Sequence, residues 1–167
     1  MRIKDLMLPI SECPKVSDDL SLAEAISVLE TWRQRATTRE YRLRVLLVQD
    51  DGLKITGTLR HQDILRVFAP GKEKGPFSSA LVKGQPTWDD LLAASHERAR
   101  QVRVREVRHT PGEAEYVEEN APLEEGFYRL LTYPSLHLLV RSGGAVTGIL
   151  RISDIFSVLC QEIQKAK

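Results

Sequence analysis

Residues 57–64, Gly-Thr-Leu-Arg-His-Gln-Asp-Ile, return in altered form as residues 148–155, Gly-Ile-Leu-Arg-Ile-Ser-Asp-Ile. In both stretches a glycine and a short segment typical of a strand lead to an arginine, and a carboxylate stands three residues after that arginine. Apolar residues at helical spacing come next. The pattern predicts a strand that runs directly into a helix, at two places in the chain.

The repetition extends in both directions from these two stretches. An offset of 91 residues also aligns the preceding glycine turns, at Gly52 and Gly143. An offset of 101 residues aligns the opening segment 2–6 with residues 103–107, because the first copy carries ten extra residues around 31–40. The matches keep their order along the chain, so we interpret them as a tandem repeat.

The offsets divide the sequence into a first repeat over residues 1–69, a connector over 70–101 and a second repeat over 102–167. The connector begins as a loop rich in Gly, Lys and Pro. A Thr-x-x-Asp capping box at 87–90 then predicts a helix. This helix is interpreted either as a spacer or as a surface for a partner, with Trp88 as its anchor.

Each repeat has the predicted element order β-α-β-β-α. A very short strand at Val16 or Val117 precedes a helix, which opens in the first copy with a capping box at 21–24. The apolar runs 45–48 and 136–140 then indicate strands buried on both faces. A turn leads from each run to the strand-to-helix junction. The fold class is therefore predicted as mixed α/β, with two tandem β-α-β-β-α repeats and an extra connector helix.

The composition gives no sign of a charged macromolecular partner. In 167 residues, 24 Lys and Arg face 23 Asp and Glu, a formal net charge of +1, so neither nucleic acid nor a membrane surface is expected. The basic run 98–108 is interpreted as a solvated helix end. Cys13 and Cys160 lack metal-ligand spacing and fit a reducing compartment. The N-terminus lacks a signal-peptide core and no apolar run is long enough to span a bilayer, so a cytoplasmic location is expected.

The duplicated junction, together with the opening Arg2-Ile3-Lys4-Asp5-Leu6-Met7, resembles a tandem pair of CBS domains, the Bateman module. The resemblance covers nearly the whole chain except the connector. It implies two β-α-β-β-α units packed sheet to sheet about a pseudo-twofold axis, with two clefts between them. It also implies that the clefts bind an adenosine-containing ligand and that two modules pair into a homodimer.

The resemblance places the candidate ligand-binding residues at the two junctions. Asp63 and Asp154 occupy the family's ribose position. Arg60 and Arg151 occupy its phosphate position, where the family more often has Thr or Ser. A helix N-terminus favours phosphate, and a guanidinium can bind phosphate through two hydrogen bonds. Two other readings remain open: each aspartate is only a helix cap, or each arginine pairs with its own aspartate and closes an empty site.

Four further residues complete the candidate set. Val16 and Val117 correspond to the place where the family holds the adenine edge against the backbone, although both also fit a role in the core. His61 and Ser153 lie next to the expected phosphate position but are not equivalent to each other. Separately, Gly57 and Gly148 are expected to be glycines because another backbone segment passes close to them.

No catalytic motif and no metal-binding cluster is present in the sequence, so we do not expect an enzyme. We expect a regulatory module that senses an adenine nucleotide or a related adenosyl compound and signals through dimer geometry to a separate effector protein. AMP, ADP, ATP and S-adenosylmethionine are the candidate ligands, and no cofactor is required. The alternative is a structural scaffold whose empty clefts are closed by Arg60 and Arg151.

Overall fold

A computed structural model of the chain describes residues 1–35, 45–68, 87–133 and 135–165. The helices, in chain order, are α1 (Leu22–Arg35), α2 (His61–Phe68), α3 (Trp88–Gln101), α4 (Val104–Val107), α5 (Leu123–Thr132) and α6 (Ile152–Lys165). The strands are β1 (Leu8–Pro9), β2 (Lys15–Ser17), β3 (Val45–Gln49), β4 (Ile55–Arg60), β5 (Tyr116–Glu118), β6 (His137–Ser142) and β7 (Ala145–Arg151). Short 3₁₀ turns cover Ile3–Asp5, Ile10–Glu12 and Glu113–Glu115.

The predicted element order and the mixed α/β fold class are confirmed. Both junctions form as expected: β4 ends at Arg60 and α2 begins at the next residue, and β7 ends at Arg151 and α6 begins at the next residue. The connector helix α3 starts after Thr87, whose hydroxyl accepts from the Asp90 N–H at 3.3 Å. The predicted connector loop at 70–86 lies outside the described residues. None of the described helices is long and apolar enough to cross a membrane.

The chain forms two compact units whose boundaries differ from those of the sequence repeats. Residues 14–109 form one unit, here called the Asp63 unit, and residues 1–13 with 110–167 form the other, the Asp154 unit. We call residues 1–13 and 102–109 the leading segments of the two repeats. Each leading segment therefore belongs to the unit built around the other repeat.

In the Asp63 unit, the sheet has the order β2-β3-β4, with β2 parallel and β4 antiparallel to β3. Residues 45–48 are all buried, which explains their continuous apolar run. Helices α1, α2 and α4 pack against the sheet, and the core that they form with it consists mainly of aliphatic side chains. Its buried members include Val16, Leu22, Leu29, Leu46, Val48, Leu59, Ile64, Val67 and Val104.

In the Asp154 unit, the sheet has the order β1-β7-β6-β5, and β5 lies parallel to β6. The β6–β7 hairpin turns at Gly143 and Gly144, whose φ angles of 58° and 82° favour glycine. The core repeats the pattern of the Asp63 unit. Its buried members are Ile3, Val117, Leu130, Leu138, Val140, Leu150 and Ile155.

A fully buried apolar side chain anchors each leading segment in its unit. Val104 is fully buried in the Asp63 core, and its N–H donates to the Leu20 carbonyl at 2.9 Å. Ile3 is fully buried in the Asp154 core, and its N–H donates to the Ala121 carbonyl at 3.0 Å. Ile3 and Val104 are equivalent residues of the two copies, separated by the offset of 101. The burial of these two side chains explains why the units and the repeats have different boundaries.

The end of each leading segment pairs with the strand that enters the junction. His109 forms a bridge with Thr58 on β4, and Leu8 pairs with Ile149 on β7. A Cβ at Gly57 would lie 2.5 Å from the His109 carbonyl oxygen, and one at Gly148 would overlap the Leu8 carbonyl. The prediction that both glycines make room for a neighbouring backbone is confirmed.

Candidate ligand-binding sites

Asp63 lies in the first turn of α2 and is only 5% exposed. The backbone N–H of Arg60 donates to its Oδ2 at 3.0 Å, so the carboxylate caps the helix. The Arg60 guanidinium also donates through Nε to Oδ2 at 2.8 Å and through Nη2 to Oδ1 at 2.9 Å. Arg60, which ends β4, is therefore bound to Asp63 through both oxygens of the carboxylate.

Asp154 has the same geometry in the first turn of α6. The Arg151 N–H donates to Oδ2 at 3.1 Å, and Arg151 Nε donates to the same oxygen at 2.8 Å. Nη2 of Arg151 donates to Oδ1. The side chains of Arg151 and Asp154 are 15% and 11% exposed. The structure therefore duplicates a half-buried, bidentate Arg–Asp pair at the end of two equivalent strands.

The pairing limits what either carboxylate can accept. An ionised carboxylate offers about four lone-pair sites, and three of them receive the donors described above at each junction. A ribose diol needs two acceptor sites, so it can bind only if the guanidinium moves. A phosphate that takes over the guanidinium at the same moment would allow this exchange, because it replaces the anionic partner of the arginine.

Charge at the Asp63 junction keeps its carboxyl ionised. Burial raises the pKa of Asp63, but the hydrogen bonds and charge of Arg60, together with His109, outweigh burial and hold the pKa below its usual value. The carboxylate is thus a charged acceptor at neutral pH.

The other candidate residues have distinct positions. Val16 and Val117 are each 2% exposed, and their side chains belong to the two cores. Val16 pairs with Val48 on β3, which pairs with Gly57 on β4, so the three residues form one row across the sheet. His61 and Ser153 are exposed in the first turns of α2 and α6. The structure therefore joins each arginine to its aspartate and places the valine side chains in the cores.

Arg108 and His109 were not among the candidates from the sequence. Arg108 was interpreted as part of a solvated basic run, but it is half-buried and its Nη1 donates to the Thr56 carbonyl on β4. That interpretation is wrong for Arg108, because the leading segment pairs with β4 and brings the side chain onto the strand. Elsewhere in the run, Arg103 and Arg105 are exposed, as expected. The offset of 101 places residues 102–109 opposite residues 1–8, but it does not indicate which strand either segment pairs with.

A separate open cleft of about 520 Å³ lies in the Asp63 unit, away from the junction residues. It lies between the start of α1 and the later part of α3, and Glu24 on its wall accepts from the Ser21 hydroxyl at 2.7 Å. It contains no candidate residue from the sequence. Within the described ranges, no three His, Cys, Asp or Glu side chains come together in a group that could hold a metal ion.

Comparison with known proteins finds one family model that matches the first repeat. A family model described as "CBS domain" matches residues 3–70. No curated protein matches the chain in sequence.

Solved structures match along almost the whole chain. The CBS-pair protein CBSX2 from Arabidopsis thaliana is 18% identical with a TM-score of 0.67, covering 98% of this chain and 96% of that one. A structure of CBSX2 in complex with AMP is 19% identical with a TM-score of 0.64, covering 96% of each chain. A CBS domain-containing protein of unknown function from Bacillus anthracis is 17% identical with a TM-score of 0.67, covering 96% and 94%. At these identities the likeness shows the fold.

Proposed function

We propose that this chain is a regulatory module that binds an adenosyl ligand, because residues 3–70 match a CBS-domain model and the chain shares its fold with solved CBS-pair proteins. The observation that carries the proposal is the duplicated Arg–Asp pair at the Asp63 and Asp154 junctions. The AMP bound by a protein of the same fold supports an adenine nucleotide as the ligand class.

Binding proceeds by an exchange of partners at the junction. The ligand's phosphate takes the guanidinium of Arg60 or Arg151, and the ribose hydroxyls donate to the carboxylate that the arginine leaves. Both charged groups keep a partner throughout, which matters because removing one partner from a buried ion pair costs about 3–5 kcal/mol. An adenosyl ligand without a phosphate cannot complete the exchange and binds more weakly.

The candidate ligands are AMP, ADP, ATP and S-adenosylmethionine, and the proposal requires neither a cofactor nor a catalytic step. The valines of the two cores contribute through the backbone of β2 and β5, which form the strands that the family uses for adenine. The module signals to a separate effector protein through a change in dimer geometry. Cys13 and Cys160 are not joined in a disulfide in the described part of the chain, which is in keeping with the proposed reducing, cytoplasmic setting.

The proposed homodimer rests on an apolar stripe along α6. Ile152, Phe156, Leu159 and Ile163 are 37%, 66%, 48% and 68% exposed, and their spacing places them on one side of the helix. A second copy of the chain would bury this stripe in a symmetric contact.

Mass spectrometry of the purified, denatured protein would identify a copurified ligand, and calorimetric titration with the four candidates would test the exchange. Binding at 100 times the dissociation constant should raise the free energy of unfolding by about 2.7 kcal/mol. Asp63→Asn and Asp154→Asn should each weaken binding at their own site by about ten- to a hundredfold, for nucleotide and adenosine alike. Arg60→Ala and Arg151→Ala should weaken nucleotides far more than adenosine.

Each variant has to be compared by its thermal unfolding as well, because the aspartates are not simple helix caps. They hold half-buried guanidinium groups, so their substitution destabilises the fold in addition to its effect on the ligand. Failure of all four candidates to bind the folded wild-type protein would overturn the proposal.

The Arg–Asp pairs also favour a second candidate function, a scaffold with permanently closed sites. Both carboxylates are already hydrogen-bonded by their own arginines, so neither carboxylate needs a ligand to be satisfied. In that case Arg60→Ala and Arg151→Ala would change stability alone, and no adenosyl compound would shift the melting temperature.

A further inference from the structure

The two junctions share the Arg–Asp pair but differ in the residues around it. Five positions near Asp63 carry polar or basic side chains, and four of their equivalents near Asp154 are apolar. The residues of the Asp63 unit are Thr58, His61, Arg66, Arg108 and His109, and their equivalents in the Asp154 unit are Ile149, Ile152, Ser157, Met7 and Leu8. The repeat thus supplies an internal comparison of two sites built on one backbone plan.

Arg66 brings a second guanidinium to the Asp63 carboxylate. Its Nη1 lies 3.7 Å from Asp63 Oδ1, and the side chain is 71% exposed and can therefore turn toward a ligand. When Arg60 leaves Asp63 for a phosphate, Arg66 still compensates the buried carboxylate. The equivalent residue at the other junction is Ser157, which has no charge to offer.

Thr58 supplies a hydroxyl that needs a partner. It is 1% exposed, and its Oγ1 has no hydrogen-bond partner within the described part of the chain. Side chains alternate along a strand, and Leu59 belongs to the core, so Thr58 lies on the same face of β4 as Arg60. A buried hydroxyl without a partner is costly, which indicates that a bound group completes it. The equivalent residue, Ile149, has no polar side-chain atom that needs a hydrogen-bond partner.

His109 and His61 add imidazole groups beside the same strand end. The His109 N–H donates to the Thr58 carbonyl at 2.8 Å, which fixes the residue next to β4. His61 is the first residue of α2, directly after Arg60, and it is exposed. Leu8 and Ile152 take these positions at the Asp154 junction, so that site has neither imidazole.

We infer that the Asp63 junction binds the phosphates of a ligand with two or more phosphate groups, whereas the Asp154 junction favours an adenosyl ligand with a single phosphate. This inference rests on the proposed function, since it concerns the ligand class of the same sites. Two guanidinium groups, two imidazoles and a hydroxyl serve anionic oxygens at one junction. One guanidinium among apolar side chains serves them at the other.

The test is calorimetric titration with AMP, ADP and ATP, in the presence of a chelator, of the full chain and of its Asp63→Asn and Asp154→Asn variants. We expect ADP and ATP to bind more tightly than AMP at the site that Asp63→Asn removes, and a preference for AMP at the remaining site. Arg66→Ser, which installs the residue of the other copy, should reduce the affinity for ADP and ATP by about tenfold and change that for AMP by less than about twofold.

Arg98→Ser is the matched control, because it likewise replaces an exposed arginine with serine, on α3 instead of on α2. It should leave all three affinities unchanged. If AMP binds but the preference for ADP and ATP is absent, survives in Asp63→Asn or is insensitive to Arg66→Ser, the inference is wrong while the proposed function stands. If no nucleotide binds the folded wild-type protein, the proposed function itself fails.

Discussion

Replacing Gly57 with alanine tests directly how residues 104–109 complete the Asp63 unit. A methyl group there would lie 2.5 Å from the His109 carbonyl oxygen and 3.2 Å from the Arg108 guanidinium. The arginine side chain can move aside. The carbonyl cannot, because it belongs to backbone that is hydrogen-bonded to β4. The methyl group therefore pushes the whole segment away from the strand.

The size of the effect follows from the hydrogen bonds that this displacement breaks. The Thr58 N–H donates to the His109 carbonyl at 3.0 Å, and the His109 N–H donates to the Thr58 carbonyl at 2.8 Å. Each bond contributes about 0.5–1.5 kcal/mol, and buried backbone groups left without partners add to the loss. We expect the free energy of unfolding to fall by about 2–4 kcal/mol in total, which lowers Tm by roughly 4–16 °C for a chain of this length.

Urea and thermal unfolding followed by circular dichroism would measure this loss, with Gly112→Ala as the control. The added methyl group at Gly112 meets nothing within 4 Å, and its φ of −80° suits alanine. The control should therefore be neutral or gain up to about 1 kcal/mol. If Gly57→Ala proves as stable as Gly112→Ala, the close approach of His109 to β4 does not exist in solution.

Three further predictions concern pH, assembly and local stability. The pKa of Asp63 is held below its ordinary value of 3.8, so the ionised carboxylate contributes stability above pH 3.8 and loses that contribution as the pH falls further. The difference in the free energy of unfolding between wild type and Asp63→Asn should therefore narrow from pH 6 to pH 2. A constant difference would contradict this. Light scattering should give twice the chain mass of 18.9 kDa for the wild type and a lower mass for Phe156→Asp, while an unchanged dimer in the variant would place the contact elsewhere. Helix α3 buries only Ala99, so hydrogen exchange at 88–101 should be faster than in β3, and slower exchange would show that another surface covers the helix.

The fold could be predicted because its signals are local. The buried run at 45–48, the capping boxes at 21–24 and 87–90 and the two strand-to-helix junctions each depend on residues close in sequence, and all of them form. The assignment of the leading segments could not be predicted in the same way. Ile3 and Val104 are both aliphatic residues on short turns, and either side chain would fit either core.

The candidate sites also combine contacts between residues close in sequence, which could be predicted, with contacts between distant residues, which could not. Arg60 and Asp63 are three residues apart, so their pairing was one of the readings that the sequence offered, and it is the one that the structure shows. The approach of His109 to Thr58 joins residues 51 positions apart in the sequence and has no local signature. The polar residues around Asp63 are the ground for the inference that this junction binds phosphate groups.

Because each leading segment folds into the unit built around the other repeat, the two units are completed at different times during synthesis on the ribosome. The Asp63 unit is encoded without interruption from residue 14 to residue 109 and can close once that stretch has left the exit tunnel. The Asp154 unit contains the first 13 residues to be synthesised, but it cannot complete its core until the last 58 residues have been synthesised as well. A cut at the repeat boundary after residue 69 would deprive the earlier unit of Val104, whereas a cut on both sides of 14–109 would preserve its core. Fragments of this chain should therefore be designed around the order in which the units close, and not around the repeat.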